Sequence, residues 1–252
     1  MLHRFHTDLF QFEYKESQID DSVLWESHCH PRFELIGVLE GDVNVMLEGT
    51  SHRLTEGQVI MVPSLYYHTI TANQRMNYRR VTVLFDPVAI PEVLMDTLVS
   101  HPIPTVFFSP HIESLRAICQ SEHHTLYIPL AEALMTEIFY DALKKTTEQT
   151  LLATDEFLEK TLSYIDRHLC ERILLCDLAR LTSRSKSSFC HLFEEKMKIS
   201  PKQYILQKKL AYADKLIGEG VPRTEAALRI GYENYSNFYR LYKKNLPTKN
   251  DH

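Results

Sequence analysis

The sequence predicts an α+β, multidomain chain: an N-terminal β-barrel with a helical shoulder, followed by an all-α domain. Three observations carry this. Between about Glu13 and Phe85, apolar and polar residues alternate in short runs, the period of strands half-buried in a sheet. From Leu158 onward the apolar residues recur at three- and four-residue spacing, the helix period. The charge balance also changes sign. Residues 151–252 carry 18 Lys and Arg against 13 Asp and Glu, which leaves 10 against 20 in residues 1–150. The expected domains are therefore 1–150 and 151–252, with the polar stretch Lys144 to Thr154 as the linker.

The totals set outer bounds. A chain of 252 residues holds one large or two ordinary domains. At 44% hydrophobic and 24% charged its composition is that of a globular protein, and it lacks the long apolar run that a membrane helix needs. Met1 to Asp8 lack the apolar core of a signal peptide. The five cysteines, at 29, 119, 170, 176 and 190, are scattered and form no C-x-x-C pair. That pattern fits reduced thiols in a cytoplasmic protein better than a disulfide framework.

The strand region opens the chain. Phe33, Leu35, Gly37 and Leu39 alternate, Gly41-Asp42 turns, and Val43, Val45 and Leu47 continue to a second turn at Glu48-Gly49-Thr50. Val59, Met61 and the run Val81 to Phe85 extend the pattern. Short antiparallel strands at this spacing build a small barrel or sandwich. Within it, His28 and His30 stand two apart, so a strand would aim them the same way, with Glu34 in phase. His68 from a later strand completes three imidazoles and a carboxylate, a donor set that suits divalent Zn, Fe, Mn or Ni. The same residues also suit a hydrogen-bonded pocket wall without metal. Trp25, Phe33, Tyr66 and Tyr67 nearby suit a small ligand such as a carbohydrate.

These residues resemble the cupin motifs. His28, His30, Glu34 and Gly41 match the first motif in full. Gly57, Pro63 and His68 match the second, but Leu65 stands at its usual glycine and Ala72 at its usual asparagine. The departures count against a metal-dependent cupin enzyme carrying an appended DNA-binding domain, the rival reading of this half.

The shoulder follows Asp86-Pro87. A helical run is expected from Pro91 to Val99, an interruption at Pro102 and Pro104, and a second helix from His111 to Gln120. Leu126, Leu130, Leu134, Ile138 and Ala142 recur every fourth residue and predict a longer helix with a buried ridge. That ridge packs on the barrel or on its copy in a homodimer, the latter slightly preferred.

The last hundred residues read as two helix-turn-helix units joined by a helix. Leu158, Leu162, Ile165 and Leu169 mark a leading helix, and Leu175, Leu178, Ala179 and Leu181 the next. Ser185 caps a third with Phe189, Leu192 and Phe193 inward, and Ser200-Pro201 opens the connecting helix. In the second unit Gly231 permits a sharp turn, after which Phe238, Leu241 and Tyr242 share one face. The opposite faces carry Lys186, Ser187, Cys190 and His191 in the first unit, and Tyr235, Ser236, Asn237, Arg240 and Lys243 in the second. Such faces can read double-stranded DNA in the major groove, with Arg240 suited to guanine and Asn237 to adenine.

This half resembles the AraC/XylS family of transcription regulators across residues 158–247. The residues that carry the likeness include Leu178-Ala179, Ser185, Phe189, Leu192-Phe193, Ser200-Pro201, Tyr204-Ile205, Lys209-Leu210, Gly231-Tyr232, Phe238 and Arg240. The resemblance implies a regulator that binds promoter DNA, responds to a small-molecule effector through its cupin-like domain, and acts in the cytoplasm without a membrane or a catalytic step. Three departures stand out. Lys198 replaces a usual glycine, Lys209 replaces a usual arginine, and Arg223 and Ala226 replace isoleucines, which predicts thinner packing in the second unit.

Overall fold

The computed structural model describes residues 1–19, 27–72, 74–90, 92, 106–146 and 155–245. Trp25, most of the expected run Pro91 to Val99, Pro102, Pro104 and residues 147–154 of the expected linker lie outside them. The chain forms two compact units, one from residues 1–27 and 32–151, the other from residues 152–252 with the segment 28–31.

The first unit holds two antiparallel sheets. The larger is ordered β1 (Leu2–His6), β2 (Phe10–Ile19), β8 (Met76–Phe85), β3 (Phe33–Glu40), β6 (Gln58–Val62) and β9 (Val106–Phe108). The smaller is ordered β5 (Thr50–Thr55), β4 (Asp42–Leu47) and β7 (His68–Ala72). The alternation in β4 works as the sequence predicts, with Val43, Val45 and Leu47 buried between polar neighbours. Strand β3 is buried on both faces because each face has its own core. Ile36 and Val38 meet the smaller sheet, with Tyr78 beside them, whereas Leu35 joins a helix-covered core with Val83, Leu115 and Phe139.

Helices α1 (His111–Cys119) and α2 (Ile128–Thr146) supply that cover. The expected ridge on α2 needs correcting. Ile138 and Ala142 of the expected row are buried and Leu134 packs against the core, but Leu130 is 50% exposed, Leu126 precedes the helix at 76% exposed, and Ala131, Met135 and Phe139 complete the buried face. A strict four-residue spacing drifts about 40° per step around a helix of about 3.6 residues per turn, so such a row leaves the core face within a few turns.

Cysteines 29 and 119 are buried free thiols, consistent with the scattered spacing. Leu65, at the position of the second motif's usual glycine, adopts φ 65°. A branched side chain in that left-handed region is strained, so the backbone keeps the shape the glycine would have favoured.

The second unit is helical: α3 (Glu156–Arg167), α4 (Leu175–Leu181), α5 (Lys186–Met197), α6 (Pro201–Gly218), α7 (Arg223–Arg229) and α8 (Tyr235–Asn245). Asp155 caps α3, accepting from the amides of Phe157 and Leu158, and lies 2.6 Å from the ammonium of Lys196 on α5. Lys196 and those amides hold its carboxyl below the usual aspartate range. Ser185 caps α5 and Ser200 caps α6, each accepting an amide three residues on. On α4 the core face is Leu178 and Ala179, and Leu181 is exposed instead of buried. Helix α6 is the axis of the unit, burying Tyr204, Leu210, Ala213 and Leu216 along its length.

Lys198 ends α5 at φ 57°, the left-handed conformation its usual glycine would adopt freely. Lys198→Gly is expected to stabilise the unit by about 1 kcal/mol, the left-handed cost of a side chain, less the entropy glycine adds to the unfolded chain. Thermal melting of the pair checks it, and an unchanged or lower midpoint would refute the strain argument.

Candidate nucleic-acid interface and ligand site

Helix α5 stands on Phe189, Phe193 and Met197, all fully buried. Phe193 meets Tyr204 of α6 edge-on at 5.4 Å, which fixes how α5 leans on the axis. Its outward side exposes Lys186, Ser187 and His191 as expected; Cys190 is half-buried, so its thiol is less available than the sequence pattern implied.

Helix α8 is anchored by Phe238, its one fully buried residue, which packs into a cluster with Leu210, Leu216, Ala226, Ala227 and Ile230, with Leu241 and Tyr242 packed against it. Arg223 stays at the surface, while Ala226 is fully enclosed in this cluster. Asn234 caps α8 by accepting the amide of Asn237 at 3.0 Å. Tyr242 donates its hydroxyl to Asp214 of α6, tying α8 to the axis; burial, then Asp214, raises the phenol's pKa.

Tyr235, Ser236, Asn237, Arg240 and Lys243 all lie exposed on α8. Arg240 donates from Nη2 to Asn237 Oδ1 at 3.1 Å, which orients both groups on one face. The guanidinium keeps further donors in a planar fork, the geometry that pairs with guanine O6 and N7.

The two helix-turn-helix units are joined by a residue the sequence marked only as a departure. Lys209 is buried on α6, and its ammonium donates to the carbonyls of Glu171 and Ile230, each at 2.7 Å. Glu171 precedes α4 and Ile230 ends α7, so one side chain satisfies orphan carbonyls from both helix-turn-helix units. Burial lowers its pKa, against the opposing pull of Cys170 and Glu171.

The structure brings together the four predicted ligand residues. One ligand atom each from His28, His30, Glu34 and His68 lies within 4.8 Å of the others. The strand geometry expected for the first two is not what achieves this. Their segment precedes β3, which begins only at Phe33; His28 makes an isolated bridge, and Pro31 after His30 has no amide to extend a ladder. The two rings stand 5.5 Å apart.

His68 is buried at the start of β7, with Nε2 2.9 Å from Glu34 Oε2 and Nδ1 2.9 Å from the carbonyl of Tyr66. A carbonyl only accepts, so Nδ1 carries a proton and Nε2 faces the carboxylate. Burial works to lower the imidazole's pKa, but the hydrogen bond and charge of Glu34 outweigh it and raise it overall. Arg32 donates to Gln11 Oε1 at 3.1 Å beside this group. Of the aromatics expected to meet a ligand, Phe33 and Tyr67 are spent on packing, while Tyr66 is half-buried. Phe33 stacks on Phe85 in the helix-covered core and Tyr67 is fully buried.

Comparison with known families decides the assignment. The model of the AraC-like ligand binding domain matches residues 10–143, and that of a helix-turn-helix domain matches residues 178–247. The chain belongs to the AraC family of transcription regulators. It is similar to the HTH-type transcriptional regulator YdiP of Escherichia coli strain K12, 28% identical over 43% of this chain and 37% of that one. It is also similar to the probable transcriptional regulator LumQ of Photobacterium leiognathi, 28% identical over 45% of this chain and 48% of that one. These matches thus span less than half the length of either relative. Among solved structures, ToxT from Vibrio cholerae aligns over 95% of both chains at 12% identity, with a TM-score of 0.46.

An AraC-family chain joins a DNA-binding helix-turn-helix region to a ligand-binding domain, and both are present here. Among the described residues, no helix is long and apolar enough to cross a membrane. One interface candidate on this AraC-type region escaped the sequence reading. Tyr239 stacks on Tyr235 at 6.0 Å and lies under the ammonium of Lys243 at 5.6 Å. The four-residue spacing of these three was the available signal, since it sets them in a row on one helix face.

Proposed function

We propose that this chain binds promoter DNA sequence-specifically through residues 151–252 and adjusts transcription when residues 1–150 take up a small molecule. One observation supports the first part most. Each candidate recognition helix presents an exposed polar set over a buried aromatic anchor, Phe189 in α5 and Phe238 in α8. A rigidly seated helix with a polar outer face can enter a major groove without rearranging. Genomic fragments retained by the purified chain across a salt series should share a two-part motif and weaken as salt rises. Uniform retention, or none, would sink the reading.

The cluster of His28, His30, Glu34 and His68 supports a divalent cation as part of the sensing site. Its donor set fits, because the carbonyl of Tyr66 fixes the His68 tautomer and leaves Nε2 to ligate, as second-shell partners do for metal-bound imidazoles. When bound, the cation would supply a positive centre that ligand oxygens can join. Zinc titrated into dialysed protein should bind at one equivalent, and His68→Ala should weaken it about tenfold or more. A silent titration would leave these residues as a metal-free pocket wall. Gln11 and Arg32 beside them support a hydroxyl-rich effector such as a carbohydrate. The regulator reading is preferred to an enzyme because the second cupin motif lacks its glycine and asparagine at Leu65 and Ala72.

The exposed Leu130 and Tyr140 on α2, with Leu126 just before it, support a homodimer seated on that helix. Sedimentation of the full chain as a monomer at all concentrations would remove it.

A further inference from the structure

An open groove of about 840 Å³ crosses one face of the helical unit. It begins at Lys186, the first residue of α5, and ends at Gly231 to Glu233, the turn before α8. Its floor is α6, with Ile205 and Leu206. The rim carries Arg172 and Leu174 ahead of α4, Lys202 in the first turn of α6, and Leu228 of α7. Arg172, Lys186 and Lys202 are exposed, and among the described residues none of them meets a carboxylate. Elsewhere in the unit Lys160 is matched by Glu156, Lys196 by Asp155 and Lys208 by Asp166, whereas three cations without such a partner gather at this groove. Leu174 and Leu228 stand 41% and 62% exposed, and Glu233 is the one carboxylate lining the groove.

The groove lies between the N-terminal ends of both candidate recognition helices. A duplex that received α5 and α8 in successive major grooves would carry its intervening backbone over this ground. That backbone alternates phosphate anions with apolar deoxyribose faces, and the groove is lined by both exposed cations and exposed leucines. We propose that the groove seats the sugar-phosphate backbone between the two recognition helices. Arg172, Lys186 and Lys202 meet phosphates, Leu174 and Leu228 pack on deoxyribose, and Glu233 opposes the phosphates and holds affinity down. Contacts of this kind set the register of the protein on DNA without reading sequence.

The proposal rests on the DNA-binding reading above, and the test separates the two. The full chain first selects a duplex from a random-sequence pool. Affinity for that duplex and for a scrambled one is then measured across a salt series. Arg172→Gln and Lys202→Gln should each lower the slope of log affinity against log salt by about 0.9, one phosphate contact apiece. Both should weaken the two duplexes by the same factor, and Glu233→Gln should tighten both. Circular dichroism melts should match the parent, because these side chains are exposed. An unchanged slope, or a loss confined to the selected duplex, overturns the proposal while leaving DNA binding intact. If the parent chain retains no duplex at any salt, the DNA-binding reading falls and the role of the groove falls with it.

Discussion

Lys209→Met is expected to cost the helical unit about 2–4 kcal/mol, the largest stability loss we anticipate from one substitution away from an aromatic anchor. Methionine keeps most of the volume and removes both donors. The carbonyls of Glu171 and Ile230 are then left without the ammonium that each meets at 2.7 Å. An unsatisfied buried acceptor costs about 1–3 kcal/mol, and two are exposed to that penalty at once. Because those carbonyls belong to different helix-turn-helix units, the change should also loosen one unit against the other and weaken DNA retention. Lys209→Arg should recover most of the loss, since a guanidinium fork carries enough donors for both acceptors. Urea melts of the three chains decide the matter. A Met variant melting within about 0.5 kcal/mol of the parent, the range of neutral surface changes, would show that the bridge is incidental.

Arg240→Ala is expected to remove about 1–3 kcal/mol of discrimination between the selected duplex and one changed at the contacted base pair, roughly a tenfold to hundredfold loss of preference. Arg240 is exposed, held by Asn237 and not part of the Phe238 cluster, so folding should be unaffected. The salt slope should change little if the contact is to a base, and by about 0.9 if it is to a phosphate. Equal weakening on both duplexes would move Arg240 from reader to phosphate contact. Asn237→Ala should lose preference at a neighbouring position, because it both offers an amide edge and orients the arginine.

Local pattern carried a good deal of this. The alternation at Val43, Val45 and Leu47 told strand from helix, and the serines at 185 and 200 told where α5 and α6 begin, since caps and periodicity are properties of short windows. The departures at Leu65 and Lys198 were equally legible. Both lie at left-handed φ, which is a constraint the backbone imposes whatever residue occupies it.

Other features were not readable in that way. The row from Leu126 to Ala142 looked like one core ridge; Leu134, Ile138 and Ala142 do meet the core, yet Leu126 and Leu130 do not and Ala131, Met135 and Phe139 take their place, because the rotation of a helix about its axis is set by what it packs against. Phe33 and Tyr67 looked like ligand neighbours but face packed interiors. His28 and His30 reach Glu34 and His68 from outside a strand, a closeness that depends on where the chain turns before β3.

By itself, then, the sequence determined the two-part plan, the paired helix-turn-helix units, the polar sets on α5 and α8 and the identity of the four candidate ligands, because each is written in residue type and spacing. Only the tertiary structure decided that Lys209 bridges two units, that Arg240 leans on Asn237, that Cys190 is half withdrawn, and that free cations and leucines gather between α5 and α8. Those are relations between residues up to tens of positions apart, and side-chain chemistry alone cannot state a distance that the packing of separate elements sets.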